Sequence, residues 1–247
     1  MIKDLEFLFK KLFFSENFLL KRRLERAIKN NYEKELSIIS NFKNKNKSAV
    51  DVGVYRGVYS YKLSKQFKHV YAYEPNPLIF PYLKKNLNKI IKNLTLKNFA
   101  LSNSSGTVDL KIPFRSKSIF KDNIEELYKL GCATIQENKN YSNYDSVKVN
   151  KIRLDEDLKN FDIGFIKIDV EGHEKEVIEG SRNLIIKSKP VLLIEIEEKH
   201  SGRPTYETIN FICELGYKPY ICKNNKLHDL HKSKNKEQEN NFFFLPV

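Results

Sequence analysis

The feature that most limits the possible folds is a regular alternation, from Ser48 onward, of short apolar runs with amphipathic segments of helical length. Short apolar runs bounded by polar residues are typical of buried strands, and helices of this length connect parallel strands in βαβ units. The alternation therefore predicts an α/β fold with a doubly wound, mostly parallel sheet. The predicted strands are Ala49–Val52, Val70–Tyr73, Leu94–Phe99, Phe165–Val170 and Val191–Ile196, and the predicted helices are Val58–Gln66, Leu78–Ile91, Glu174–Ile186 and Tyr206–Leu215.

The chain before this alternation, residues 1–47, is predicted to be a helical extension of the main domain, which spans residues 48–247. Apolar residues recur in it at helical spacing with Lys and Arg between them, which predicts two amphipathic helices. We expect these helices to pack over the core or in the interface of a homodimer, rather than on a membrane surface. The apolar positions are Leu5, Leu8, Phe9, Leu12, Leu20, Leu24, Ala27 and Ile28.

Two segments of the main domain depart from the alternation. Thr107–Ile112 alternates apolar with polar residues and leads into a polar, weakly periodic stretch. Residues 113–147 are therefore predicted to be an insertion over the ligand-binding end of the sheet. Farther along, the predicted strand Tyr217–Cys222 is followed by a loop rich in Lys and Asn that runs to Asn241. We expect that loop to be disordered or mobile, and the apolar run Phe242–Leu245 after it to be a closing strand.

Charge and cysteine content limit the partners and the compartment. The 44 Lys and Arg against 31 Asp and Glu give a net charge of +13, which would suit a nucleic acid or an anionic substrate. The basic residues are spread along the chain without an aromatic-interleaved stripe, so we expect no nucleic-acid partner. Three cysteines without a CxxC pair argue against a disulfide framework or zinc site and favour a reducing cytoplasm. No signal-peptide pattern or membrane-length apolar run is found in the sequence, so we expect no membrane span.

A cofactor pocket is indicated where the first two predicted strands end. The first strand runs from Asp51 into a G-x-x-x-G spacing, Gly53 to Gly57, whereas a dinucleotide fold uses G-x-G-x-x-G to cradle a pyrophosphate. The second strand ends in Glu74, 21 residues after Gly53, where a carboxylate can accept hydrogen bonds from both ribose hydroxyls. An acid has no packing reason to end an apolar run. A ribose site without a pyrophosphate site points to S-adenosylmethionine.

Five segments over roughly Ser48 to Glu198 resemble the FkbM-type methyltransferases. The resemblance implies the class I methyltransferase fold, a Rossmann-like sheet that is mostly parallel with an antiparallel last strand. The segments are DVGVYRGVYS (Asp51–Ser60), VYAYEPNPLIFPYLKKNL (Val70–Leu87), NFALSNSSGTVDL (Asn98–Leu110), IRLDEDL (Ile152–Leu158) and FIKIDVEGHEKEVIEG (Phe165–Gly180).

The resemblance also implies roles for residues around the cofactor. Asp51, Gly53 and Ser60 would meet the amino-acid end of S-adenosylmethionine, Glu74 its ribose, and Phe99 with Ala100 its adenine. The chain departs from the family at Tyr55, where Asn is usual, and we expect Tyr55 to close over the cofactor instead. The complete predicted cofactor set is Asp51, Gly53, Tyr55, Gly57, Ser60, Glu74, Pro75, Phe99 and Ala100.

Candidate catalytic groups follow the fourth predicted strand. Methyl transfer to a hydroxyl is an in-line displacement, so the protein must align the reactants and accept the hydroxyl proton. Asp169 is the leading site residue, with a role in binding the methionine amino group, a metal or the acceptor. His173 is the predicted general base and Glu171 the alternative, although His173 would also suit a helix N-terminal turn. Lys167 is expected to point away from Asp169 and to have a structural or surface role.

Acceptor-binding residues are predicted at the end of the next strand and in the insertion. Glu195 with Asp169 would provide oxygen ligands for Mg²⁺, or a carboxylate that binds sugar hydroxyls, and both interpretations stay open. Glu197 and His200 are predicted to line the acceptor pocket. Arg115, in the insertion, is predicted to bind a phosphate of a nucleotide-linked sugar.

The predicted function is S-adenosylmethionine-dependent methylation of a sugar hydroxyl, on a nucleotide-linked sugar or a unit of a surface (capsular) polysaccharide. The acceptor is implied by the resemblance alone. Two alternatives come from other functional classes: methylation of RNA or protein, and a non-catalytic binding module that keeps the fold without the cofactor.

Overall fold

A computed structural model describes residues 14–114, 130–136, 142–233 and 239–247. Its strands are β1 (Ser48–Val52), β2 (Val70–Tyr73), β3 (Leu94–Lys97), β4 (Ala100–Leu101), β5 (Gly106–Pro113), β6 (Tyr144–Ile152), β7 (Ile163–Ile168), β8 (Val191–Glu195), β9 (Tyr217–Lys223), β10 (Lys226–Asp229) and β11 (Asn241–Pro246). Its α-helices are α1 (Glu16–Lys29), α2 (Glu35–Ile38), α3 (Val58–Gln66), α4 (Phe80–Ile90), α5 (Leu154–Asp157), α6 (Glu174–Gly180), α7 (Arg182–Ser188), α8 (Glu198–Ser201) and α9 (Thr205–Cys213). Short 3₁₀ turns cover Ile39–Phe42, Leu130–Cys132 and Leu230–Lys232.

The main sheet has eight strands in the order β10-β9-β11-β8-β7-β1-β2-β3. Neighbours from β3 through β8 are parallel, while β11 is antiparallel to both β8 and β9. The predicted fold class, a mostly parallel sheet with an antiparallel last strand, is confirmed. Because the central strands start and end at the same edges, the loops after β1, β2, β7 and β8 meet at one end of the sheet.

Apolar side chains cover both faces of the main sheet, which explains why its strands are nearly continuous apolar runs. Within β1 every residue is buried, and Val50 and Val52 pack on one face while Ala49 packs on the other. Helix α1, the second predicted N-terminal helix, buries Leu20, Leu24 and Ala27, and the two leucines belong to the second of these layers. The first predicted helix lies outside the described residues. In the described part of the chain, no helix combines the length and apolar character needed to cross a bilayer.

A second, three-stranded sheet with the order β4-β6-β5 lies beside the main sheet, and it corrects one expectation. The predicted strand Leu94–Phe99 is wrong at its end, because the chain leaves the main sheet after Lys97 and Ala100–Leu101 pairs with β6. The predicted insertion, residues 113–147, includes the start of β6, which begins at Tyr144 and pairs with β5. Part of the segment between these strands, residues 115–129 and 137–141, lies outside the described residues.

Two more elements differ from the expectation. The single helix predicted over Glu174–Ile186 is divided into α6 and α7, because Gly180 packs so closely on the backbone of Ser102 that an added Cβ would overlap the Ser102 carbonyl oxygen. The Lys- and Asn-rich loop contains β10, which forms a hairpin with β9. Its two-residue turn, Asn224-Asn225, has φ values of 50° and 57°, the conformation that asparagine favours in tight hairpins.

Candidate active site

A cavity opens where β1, β2 and β7 end. Its walls come from those strand ends, from residues around β4 and β5, and from the segment that includes the turn Leu130–Cys132. The structure therefore brings together residues that are up to 118 positions apart in the sequence (53 to 171). The predicted site residues that line it are Gly53, Tyr55, Glu74, Pro75, Phe99, Ala100, Asp169 and Glu171.

Gly53 makes the tight turn on which the cavity floor depends. Its φ is +85°, a conformation that side chains with a Cβ rarely adopt. Its N–H donates to the Tyr73 carbonyl oxygen at 3.0 Å, and a Cβ at this position would overlap the carbonyl oxygen of Asp169. The loops after β1 and β7 can approach each other this closely only because residue 53 is glycine.

Glu74 places a fixed carboxyl group against the cavity. The residue is 5 % exposed, and its oxygens accept hydrogen bonds from the backbone N–H groups of Tyr55 and Asn76, both at 2.9 Å. Burial raises the pKa of Glu74 to about 7, while these two N–H groups act in the opposite direction. Since a carboxylate oxygen has more than one lone pair, each oxygen can still accept a second hydrogen bond from a ligand.

Tyr55 forms part of the cavity rim. Its backbone φ is +46°, which is unusual for a tyrosine, and its ring lies so close to Gly131 that a Cβ there would be 3.0 Å from the ring. The Arg56 guanidinium lies 5.0 Å from the ring centroid. The expectation that Tyr55 closes over a cofactor stays a prediction.

Three predicted cofactor residues do not line this cavity. Asp51 is buried, and its carboxylate accepts a hydrogen bond from the Ser60 hydroxyl at 2.5 Å. Gly57 starts α3 with a φ of +78°, and a Cβ there would lie 2.7 Å from a methyl group of Leu87. Asp51 and Ser60 therefore support the first loop from beneath, and Gly57 allows α3 to pack on α4.

Lys167 corrects an error in the sequence interpretation. Residues two apart in a strand point to the same face, and the Lys167 ammonium accordingly lies 3.7 Å from Asp169 Oδ2. Lys167 is buried rather than on the surface, with only 1 % of the residue exposed. Its ammonium lies 5.0 Å from the Tyr59 ring centroid. Lys167 is also the register partner of Asp51 across β7 and β1.

Asp169 and Glu195 lie at the ends of two neighbouring strands, since Ile168 of β7 is the register partner of Ile194 of β8. Burial raises the pKa of Glu195 to about 8, and the negative charge of Asp169 acts in the same direction. The described residues contain no group of three or more metal-ligating side chains arranged around one point, so metal binding stays an open expectation.

The other predicted residues divide between two places. Glu171 and Glu197 lie on either side of His200, at 2.8 Å from its Nδ1 and 3.2 Å from its Nε2. His173 instead lines a second cavity, where its Nε2 lies 3.0 Å from the Ser102 hydroxyl and its Nδ1 3.2 Å from the Gln136 side-chain oxygen. Burial lowers the pKa of His173. Arg115 lies outside the described residues.

A family model described as the methyltransferase FkbM domain matches residues 51–219, more than half of the chain. The protein belongs to the FkbM methyltransferase family. The resemblance of the five sequence segments is thereby confirmed, and the cavity described above lies within the matched region.

Two known proteins are similar to this FkbM-family chain. The hexuronic acid methyltransferase AglP of Haloferax volcanii is 27 % identical over 161 residues, which are 65 % of this chain and 59 % of AglP. The chain thus spans less than two thirds of that relative's length. The crystal structure of methyltransferase FkbM from Methylobacillus flagellatus KT aligns with a TM-score of 0.52 and 17 % identity, over 82 % of this chain and 44 % of the other. This likeness shows a common fold.

The buried carboxyl groups of this FkbM-family protein predict how its stability depends on pH. Burial raises the pKa of Asp51, Glu74 and Glu174 to about 7 and that of Glu195 to about 8, against values near 4 in an unfolded chain. The stability that these groups contribute is fully present below their pKa values in the unfolded chain. It is lost as the pH rises through their pKa values in the folded protein. We therefore expect the urea midpoint to fall between pH 5 and pH 8, each group adding a slope of up to about 1.4 kcal/mol per pH unit.

His173 and His69 act in the opposite direction, because burial lowers their pKa values and this adds stability as the pH rises, but the four carboxyl groups have the larger pKa shifts. The isosteric variant Glu174→Gln should flatten the pH dependence, whereas the exposed control Glu207→Gln should leave it unchanged. A urea midpoint that rises steadily from pH 5 to pH 8 would contradict this prediction.

Proposed function

We propose that this FkbM-family protein transfers a methyl group from S-adenosylmethionine to a hydroxyl group of a sugar. The main support is Glu74, a buried carboxyl fixed by two backbone N–H groups beside the Gly53 turn, with free acceptor capacity toward the cavity. This arrangement suits the two hydroxyls of a ribose, and the G-x-x-x-G turn beside it lacks the spacing that holds a pyrophosphate.

The rest of the cavity fits the other parts of S-adenosylmethionine. Apolar residues on the side of the second sheet, including Phe99, Ala100 and Leu110, suit the flat adenine ring. Asp169, which also lines the cavity, would provide a carboxylate for the methionine amino group. The cofactor would supply an electrophilic methyl group on a positively charged sulfur, and the chain would have to exclude water, orient the acceptor and take up one proton.

A sugar acceptor is supported by two observations of different kinds. The relative AglP, 27 % identical, is a hexuronic acid methyltransferase. In addition, the acidic and imidazole side chains of Glu195, Glu197 and His200 cluster beside Asp169 and Glu171, and such groups bind sugar hydroxyls well.

The proposed function is tested with S-adenosylmethionine labelled at the methyl group. The full chain is incubated with a panel of nucleotide-linked sugars, including nucleotide-linked hexuronic acids, with and without a chelator. We expect label in a sugar product that survives mild alkali, as a methyl ether does. A product that alkali hydrolyses would be a methyl ester on a carboxyl group and would overturn the hydroxyl assignment. Label only in RNA or protein, suppressed by added salt, would overturn the sugar acceptor.

His173 gives a second prediction within this function. Its Nδ1 faces a side-chain oxygen and its Nε2 a hydroxyl, so both ring nitrogens are occupied, in a cavity other than the one that contains Glu74. We therefore expect His173→Ala to keep kcat within about fivefold of the wild type, far less than the loss caused by removing a general base. Steady-state kinetics on the sugar identified above, with Lys175→Ala as a control on the same helix, would measure this. A loss of 100-fold or more would restore His173 as the base.

A further inference from the structure

A line of three side chains leads away from the main cavity. Glu171 lines the cavity, His200 Nδ1 lies 2.8 Å from its Oε2, and His200 Nε2 lies 3.2 Å from Oε2 of Glu197. Behind them, the Lys199 ammonium lies 2.5 Å from Glu197 Oε2, and the Asn240 amide donates to the other oxygen of Glu197. The side chains of Glu171, His200 and Glu197 are only 14 %, 19 % and 8 % exposed, so little water competes for these contacts.

The backbone is bent to make this line possible. Glu171 has a φ of +58°, a conformation that a glutamate rarely adopts and that often marks a functional site. Gly172 follows with a φ of +106°, and a Cβ there would overlap the carbonyl oxygen of His200. The Thr134 hydroxyl donates to the Glu171 carbonyl oxygen at 2.9 Å. The turn after β7 is therefore fixed against α8 with the Glu171 side chain beside the imidazole.

We propose that Glu171 is the general base of the methyl transfer, and that His200, oriented by Glu197, is the residue that positions it. This proposal rests on the proposed function. As the hydroxyl oxygen of the acceptor forms its bond to the methyl carbon, the carbon–sulfur bond breaks and its electron pair stays on sulfur, which becomes a neutral thioether. The hydroxyl proton passes to a carboxylate oxygen of Glu171. His200 Nδ1 lies against one oxygen of that carboxylate, Oε2, and so orients the group.

Neighbouring groups are less suited to this role. Asp169 lies 3.7 Å from the Lys167 ammonium and so already has a cationic partner. His173 is held by Ser102 and Gln136 in the second cavity. Among the candidate bases that the structure describes, Glu171 combines a place on the cavity wall with an imidazole partner of its own.

The test uses the wild-type chain and four variants with the sugar acceptor found above. Glu171→Gln keeps the size of the side chain but cannot accept the proton, so we expect kcat to fall about 100-fold or more, with KM and the Kd for S-adenosylmethionine within about threefold. His200→Ala should lower kcat about tenfold or more, while His200→Asn, whose amide can replace Nδ1, should recover most of that loss. Added imidazole should also restore activity to His200→Ala. The exposed Glu198→Gln, also on α8, is the matched control.

A second readout needs no turnover. The ¹⁵N chemical shifts of the His200 ring should change on Glu171→Gln and on Glu197→Gln but not on Glu198→Gln. The proposal is overturned if Glu171→Gln keeps kcat within about threefold of the wild type, if imidazole fails to restore His200→Ala, or if the His200 shifts do not respond to Glu171→Gln. Failure of the proposed function would give a different result, because the wild-type chain would then bind S-adenosylmethionine but label no sugar. The assignment of Glu171 as the general base would fail in that case as well.

Discussion

Replacing Gly53 with alanine is expected to destabilise the protein by more than about 4 kcal/mol and to abolish methyl transfer. Two effects at this position lower the free energy of unfolding of the variant. The φ of +85° disfavours any residue with a Cβ, and the new methyl group would overlap the carbonyl oxygen of Asp169, which is backbone and cannot move aside. Relief of the overlap would separate the loops after β1 and β7, which form the cavity floor. Urea denaturation and soluble yield measure the first effect, and the labelled-methyl assay measures the second.

Gly202 provides the matched control, because it has a similar φ of +67° but nothing within 4 Å of an added Cβ. Gly202→Ala should therefore cost only the backbone strain, about 1–2 kcal/mol. The difference between the two variants isolates the overlap with Asp169. Equal unfolding free energies for Gly53→Ala and Gly202→Ala would show that the two loops do not need to approach each other as the structure has them.

Replacing Glu74 with glutamine is expected to weaken S-adenosylmethionine binding about 100-fold, which corresponds to the loss of two hydrogen bonds to a charged acceptor. The amide would also turn an NH₂ group toward the backbone N–H of Tyr55 or Asn76, where the carboxylate now accepts both. The cavity wall would thus lose both its ribose acceptor and its fixed orientation. Calorimetry on the folded variant measures the Kd directly, with the exposed Glu207→Gln as control.

Binding by Glu74→Gln within about threefold of the wild type would remove the carboxylate from the ribose site and with it the main support for the proposed cofactor. A circular dichroism spectrum and urea midpoint for the same variant separate this outcome from unfolding. Weak binding by a folded variant supports the proposal, because only the ligand contact has then changed.

Much of the core could be predicted because its pattern is local. Helix Val58–Gln66 and strand Val70–Tyr73 have the predicted bounds. Each is a short apolar or amphipathic segment, and the residues that flank it mark where it ends. The Gly53 turn, and Glu74 at the end of the second predicted strand, could be predicted for the same reason. A glycine and an acid at the ends of apolar strands must lie at the same edge of a parallel sheet, which is where the structure has them.

The second sheet could not be predicted, because β5 and β6 are exposed on one side and pair across a polar segment of about 30 residues. Alternation within one strand does not identify a distant partner. The division of the predicted helix at Ser181 has a similar origin, since the close contact of Gly180 with Ser102 depends on β4, far away in the sequence. The β9–β10 hairpin was missed although the Asn224-Asn225 pair was a usable signal.

The sequence by itself determined the sheet, the turn at Gly53 and the carboxyl of Glu74, because strand periodicity and chain order place these residues at one edge. Only the tertiary structure decided which of the acidic and imidazole groups meet. It brings Glu171 to His200 across 29 positions, while His173, two residues from Glu171, faces another cavity. A turn with two positive φ angles changes side-chain direction within those two residues, and this geometry follows from packing against α8 rather than from local pattern.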